Sequence, residues 1–199
     1  MANIIGKIFL LYTGITTLLL PVSMAQRSID QFDMAILNHL AEGRTPTQTK
    51  IFRTISDVNN YVNVGVPAAL LLAGTIDNNK AMRQNALYIA TSTATTAILN
   101  SVIKHLFKRK RPFKAHVNFV PVYESGGYSF PSGHTSSTFS TMTALSRAYP
   151  KWYVIAPSLL WASSIGYSRL YLGVHHPTDV GAGAILGAGA AFGFGFIRP

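Results

Sequence analysis

Apolar residues in the first part of the chain recur at the helical interval. Ile29, Phe32, Ile36, Leu37 and Leu40 share one face, and Ile51, Phe52, Ile55 and Val58 repeat the pattern after the turn EGRTPT. The spacing predicts two short amphipathic helices on a surface or membrane interface. Five more strongly apolar segments follow, over residues 61–76, 86–103, 135–148, 153–167 and 180–197. Several fall short of the ~20 residues that cross a bilayer comfortably, and Ser and Thr dilute them. Two architectures fit this pattern: membrane spans, or the buried helices of a soluble bundle.

The start of the chain, MANIIGKIFLLYTGITTLLLPVSMAQR, has one lysine, an apolar run over residues 8–20, a breaker at Pro21, and small residues at Ser23 and Ala25. This is the layout of a secretory leader cleaved after Ala25, and equally of an uncleaved first transmembrane helix. The expected organisation is therefore residues 1–25 as leader or first span and residues 26–199 as a single domain. With entry from the periplasm, the apolar helices alternate so that Lys80, Arg83, Arg147, Lys151 and Arg198 fall on the cytoplasmic side, as the positive-inside rule asks. The basic cluster over residues 104–114 is left on the outer side and needs another reason to be there.

Composition supports the membrane reading. Of 199 residues, 48% are hydrophobic and 12% charged, about half the usual charged share of a soluble domain. The formal charge of +10 favours anionic partners: nucleic acid, lipid headgroups or phosphorylated small molecules. The absence of cysteine excludes disulfides, thiol nucleophiles and zinc–thiolate sites. The glycine-rich end, VGAGAILGAGAAFGFGFI, misses the dinucleotide-loop spacing by one residue and follows no strand. Its Gly183/Gly187 and Gly189/Gly193 pairs fit small-xxx-small packing between close helices.

Three stretches carry chemistry. In KHLFKRKRPF, Lys104 lies near a helix end and Arg111 precedes Pro112, where a helix does not continue. Alone, this reads equally as a solvated basic loop, a membrane-surface patch or a nucleic-acid tag. In FPSGHTSS, a helix beginning at Pro131-Ser132-Gly133-His134 aims unpaired backbone N–H groups at an anion; Ser132 adds a hydroxyl, Gly133 allows close approach and His134 supplies a proton. The plainer alternative makes Ser132 a cap and His134 incidental. In SRLYLGVHHPTDVGAG, Arg169 ends a helix, and His175 and Asp179 stand four apart, within hydrogen-bond reach on one helix face. Such a carboxylate fixes the imidazole tautomer, or it simply closes a helix N-terminus. Only Glu124 and Asp179 among the acidic residues lie near these motifs in sequence, too few for a two-metal clamp. A cationic site of Lys104, Arg111 and Arg169 is expected to bind a dianion without metal or cofactor.

In order and internal spacing the three stretches resemble the signature of the type 2 phosphatidic acid phosphatase and haloperoxidase superfamily. Lys104 is followed after six residues by Arg111-Pro112; then comes Pro131-Ser132-Gly133-His134; then Ser168-Arg169, with His175 and Asp179 beyond. The resemblance implies an all-α bundle of five to six mostly transmembrane helices with the active site at the periplasmic face of a bacterial-type inner membrane. It implies that His175 is the nucleophile, forming a phospho-histidine, with Asp179 orienting it. His134 would protonate the leaving oxygen and then activate water, while Lys104, Arg111, Ser132, Gly133 and Arg169 hold the phosphoryl oxygens. The implied substrate is a membrane lipid phosphate or diphosphate: phosphatidate, phosphatidylglycerol phosphate, an isoprenoid (undecaprenyl) diphosphate or a lipid A phosphate. A soluble periplasmic acid phosphatase of the same fold is the alternative. Neither a nucleic-acid partner nor halide oxidation is expected; the resembling haloperoxidases, whose pocket holds vanadate, are larger soluble proteins.

Overall fold

The computed structural model describes residues 26–199; the expected leader or first span lies outside them. Helix α1 covers residues 26–42. Thr45 caps α2, Pro46–Ile76, by accepting from the Gln48 N–H at 3.3 Å, and Pro46 takes the first helical position, where its missing N–H costs nothing. Helix α2 is one element of 31 residues, about 46 Å long at the α-helical rise, where the sequence pattern suggested a short amphipathic helix followed by a separate span. The two are continuous, and Asn59 and Asn63 near their junction are buried against Thr138 of the bundle interior.

Asn79 caps α3, Lys80–Phe107, through the Met82 N–H at 3.0 Å, and α3 stops where Lys108 adopts a left-handed conformation. A single turn α4, Pro112–Ala115, and a loop lead to α5, Gly133–Ala148. Helices α6, Trp152–Tyr171, and α7, Pro177–Gly193, complete the bundle, and a 3₁₀ turn, Gly195–Ile197, follows α7. The described residues are helical and contain no strand. Thus the five apolar segments lie in α2, α3, α5, α6 and α7, and the first expected amphipathic helix is α1.

Polarity runs inside out relative to a soluble bundle. Ser92, Thr96, Asn100, Ser136, Thr138 and Ser140 are buried, whereas Val64, Leu72, Ile98, Leu160 and Ile185 are each more than 60% exposed. Inside, the hydroxyls and amides bond across helices: Thr93 with Thr141 at 2.8 Å, and Asn100 to Ser136 at 3.0 Å. Apolar side chains on the outside fit lipid tails, and interior hydroxyls let helices approach and bond. The Ser and Thr content that left a soluble bundle open is therefore the content of the interior. The stretches Lys80–Ala115 and Pro177–Ile197 are long and apolar enough to cross a membrane.

The close contact of α5 with α7 sets the site. A Cβ on Gly187 would stand 2.1 Å from the Ser136 carbonyl oxygen, and one on Gly183 2.8 Å from that of Ser132. Only glycine permits this approach. Gly189 and Gly193 meet nothing within 4 Å, so the second expected glycine pair does not pack in this way. At the far end of the bundle Arg147 donates to the Ala191 carbonyl and Arg198 to that of Arg147, while Gln84 at the start of α3 bonds Ile197. The basic residues Arg83, Arg147 and Arg198 thus gather at the end away from the three motifs, as the charge pattern anticipated.

Two outcomes follow from this packing. Gly187→Ala should destabilise the protein in detergent by about 1–3 kcal/mol, the usual cost of overpacking, whereas Gly189→Ala should leave its thermal midpoint unchanged or slightly raised. In fractionated cells the protein should remain with membranes through a high-salt wash and leave them only in detergent, because its outer contacts are apolar.

Candidate active site

Every residue expected at the site stands at one end of the bundle. Lys104 is in the last turn of α3, and Arg111 precedes α4. Ser132, Gly133 and His134 open α5; Arg169 is in the last turn of α6; His175 lies in the turn before α7, and Asp179 is in its first turn. The α5 and α7 starts are joined directly, the Ser132 N–H donating to the Asp179 carbonyl at 3.0 Å. The cap reading of Ser132 is not what is found: its hydroxyl bonds Thr135 Oγ1 at 2.9 Å and makes no helix cap. The N–H groups of Gly133 and the half-buried His134 therefore head the helix as potential anion donors.

The cations divide by the company they keep. Arg111 is buried, and its guanidinium donates to the carbonyls of Val174 at 2.7 Å and Gly126 at 2.8 Å. Lys104 Nζ donates to the Tyr128 carbonyl at 2.8 Å. Arg169 is 1% exposed, donates to Ser56 Oγ, lies beside the Tyr123 ring, and keeps its Nε without a partner among the described residues. Neutral oxygens orient these three side chains without cancelling their charge. An uncompensated buried guanidinium is costly, and an anionic ligand would relieve it.

Arg109 differs: it donates to Asp179 Oδ1 and to Asp33 Oδ2, each at 2.7 Å. The KRKR run consequently splits, Arg109 and Arg111 turning inward and Lys108 and Lys110 outward. Such a split does not fit the continuous exposed tag that the run suggested.

The histidine is set by what surrounds it. Arg111 Nη1 stands 3.3 Å from His175 Nε2; a guanidinium only donates, so Nε2 carries the lone pair and Nδ1 the proton. His175 Nδ1 is 3.6 Å from Asp179 Oδ2, beyond a direct hydrogen bond, and Ser129 lies between them. The Ser129 hydroxyl is 3.4 Å from Nδ1 and donates to Asp179 Oδ2. Asp179 Oδ2 also accepts the His176 N–H at 2.9 Å, so the carboxylate both orients the imidazole through Ser129 and closes the α7 N-terminus. Burial pushes the His175 imidazole down to about 3 from its usual 6.5; Arg169 and Arg111 add to the fall, and Asp179 opposes it. His175 is neutral at any physiological pH. His176 is turned away, its Nε2 3.3 Å from the Lys110 carbonyl.

Three contributors escape motif reading. Ser129 sits three residues before Ser132 in the same loop, where nothing in the local sequence sets it apart. Arg109 read as one charge in a basic run. Asp33 appeared remote from the motifs, yet it accepts from the Thr178 N–H at 3.0 Å and from Arg109, directly behind Asp179. Its buried position on α1, one turn before buried Leu37, was the available signal: a carboxylate among the apolar positions of an amphipathic face.

The PAP2 superfamily profile matches residues 85–196. An undecaprenyl-diphosphatase of Sulfolobus acidocaldarius is 34% identical over 137 residues, covering 66% of this chain and 61% of that protein. A lipid A 4'-phosphatase of Bacteroides thetaiotaomicron is 34% identical over 113 residues, covering 54% of this chain and 50% of its own length. The chain thus spans about half to three fifths of these curated relatives. A transmembrane PAP2-type phosphatidylglycerolphosphate phosphatase from Bacillus subtilis has a similar solved structure, with a TM-score of 0.75 and 26% identity over 90% of each chain. The profile takes in more than half of the sequence, including the segments that carry Lys104, Arg111, His134, Arg169, His175 and Asp179, and the chain belongs to the PAP2 superfamily.

Proposed function

We propose that this protein is an integral membrane phosphatase that hydrolyses a lipid phosphate or diphosphate through a phospho-histidine, without a metal ion. One observation carries the reading: the unprotonated Nε2 of a buried histidine faces Arg111, and Lys104, Arg111 and Arg169, all oriented by neutral oxygens, gather at that end of the bundle. Lys104, Arg111, Arg169, the Ser132 hydroxyl and the Gly133 N–H hold the phosphoryl oxygens and stabilise charge as it builds. His175 Nε2 attacks phosphorus while the bond to the leaving oxygen breaks and His134 protonates that oxygen. Water then gives a proton to His134 and attacks phosphorus, the P–N bond breaks, and phosphate leaves with neutral His175 restored. Asp179, acting through Ser129, keeps the proton on Nδ1 and stabilises the positive charge the ring gains.

The substrate is drawn from the lipids on which the relatives are named as acting, lipid A phosphate, undecaprenyl diphosphate and phosphatidylglycerol phosphate, with phosphatidate beside them. In this proposal the site faces the periplasm from a bacterial-type inner membrane, in one phosphatase domain over residues 26–199 preceded by a leader or first span. This orientation rests on the positive-inside rule applied to the Arg83, Arg147 and Arg198 end. The exposed apolar helix faces favour this reading over a soluble acid phosphatase.

Purified protein should release phosphate from a panel of lipid mono- and diphosphates in the presence of chelator, and His175→Ala should lower kcat by at least about a thousandfold. Retained turnover in that variant would refute the mechanism. The depressed His175 imidazole gives a second outcome. An imidazole at its ordinary value would lose roughly three quarters of its neutral form on going from pH 7.5 to 6. With p-nitrophenyl phosphate, whose leaving group needs no proton, kcat should show no such fall over that range.

A further inference from the structure

We infer that Asp33 and Arg109 form a positioning clamp that holds the Asp179 carboxylate in place for His175, a role that rests on the proposed phosphatase reading. The pair lies behind the site and touches none of the reacting atoms. Arg109 spans two carboxylates with fully buried side chains, Asp33 Oδ2 and Asp179 Oδ1, each at 2.7 Å, and bonds Thr178 Oγ1 at 2.6 Å. Asp33 in turn accepts from the Thr178 N–H at 3.0 Å and from the Thr178 hydroxyl at 2.6 Å, so a side chain from α1 caps the first turn of α7. Arg109 occupies Asp179 Oδ1, which leaves Oδ2 for Ser129 and the His176 N–H and fixes the rotation of the carboxylate about its last bond.

The arithmetic of charge explains why the clamp needs both members. Asp179 with Arg109 alone would be a neutral pair, and the imidazole would lose most of its anionic partner. Asp33 adds the compensating charge, so the Asp33–Arg109–Asp179 chain carries one net negative charge toward His175. The charged groups facing His175 from the surrounding elements are Asp179 on α7, Arg169 on α6 and Arg111 before α4; Lys104 on α3 completes the cationic side. The clamp is the anionic counterweight to those three. It also ties helix α1, whose outer face exposes Ile29 and Phe32, to the element that bears Asp179.

Kinetics on the purified full chain separate this role from mere support of the fold. Asp33→Asn is isosteric, and Arg109→Lys keeps the charge while losing the fork that spans two carboxylates. Each should lower kcat about tenfold or more with KM changed less than about threefold, and the double variant should be no worse than about the poorer single one, because both break one chain. Multiplying effects, or a rise in KM with kcat unchanged, would overturn the clamp.

A readout independent of turnover keeps the two ideas distinguishable. In ¹⁵N-histidine-labelled protein, Arg109→Gln should move the His175 titration to higher pH, since a positive charge beside Asp179 is gone; a titration unmoved by this change overturns the clamp. Wild-type protein that releases no phosphate from any lipid of the panel overturns the phosphatase reading alone, and the titration still decides the clamp. Should Arg109→Gln fail to fold, Arg109→Lys supplies the same titration, with a shift of the same sign as its bond to Asp179 lengthens.

Discussion

The structure is organised around positive charge that is held but not neutralised. Lys104, Arg111 and Arg169 are fixed by carbonyl and hydroxyl oxygens, which set direction and leave the charge available. Such an arrangement is unfavourable in a buried place unless an anion arrives, and its cost must be met by the remainder of the fold. The α5–α7 contact is one part of that fold. Glycines at 183 and 187 bring the two helix starts together, and the bond from the Ser132 N–H to the Asp179 carbonyl locks the N–H-rich start of α5 against the turn that carries His175.

The same principle separates the two sides of the histidine. Toward Nε2 lies the Arg111 guanidinium, whose other partners are neutral carbonyls; toward Nδ1 lies a chain of hydroxyl, carboxylate, guanidinium and a second carboxylate. A ring placed between them has its tautomer determined, its lone pair aimed at the Arg111 guanidinium, and a negative group behind it where the proposed attack would build positive charge. In the non-helical stretch between α3 and α4 alternate residues share a face, so Arg109 and Arg111 both turn inward, where Arg109 meets the carboxylates and Arg111 the backbone carbonyls beside His175.

How much of this the sequence discloses depends on the range of the interactions involved. Helix existence was legible because apolar spacing is local, and so was the grouping of Lys104, Arg111, His134, Arg169, His175 and Asp179 at one end of their helices. The gap expected between Val58 and Tyr61 is continuous helix, since a buried asparagine such as Asn59 and an exposed one look alike until the polar interior is known. The His175–Asp179 spacing suggested a direct hydrogen bond; the insertion of Ser129, 46 residues before His175, could not be read from a four-residue interval. Asp33 was furthest from view, since its partner Thr178 lies 145 residues away and only the packing of α1 against the α7 start unites them.

The polar interior and apolar exterior are two consequences of one environment. Lipid removes the incentive to bury leucine and valine, so the interior is free to hold the hydroxyls and amides that bond helices together near a charged site. The central claim is that His175 becomes phosphorylated through the nitrogen that faces Arg111. It is tested most directly by mixing protein and lipid substrate, quenching rapidly in alkali, and mapping the modified histidine by mass spectrometry and phosphorus NMR. The account predicts phosphate on Nε2 of His175; phosphate on Nδ1, on His134 or on His176, or turnover without any phosphorylated histidine, would contradict it.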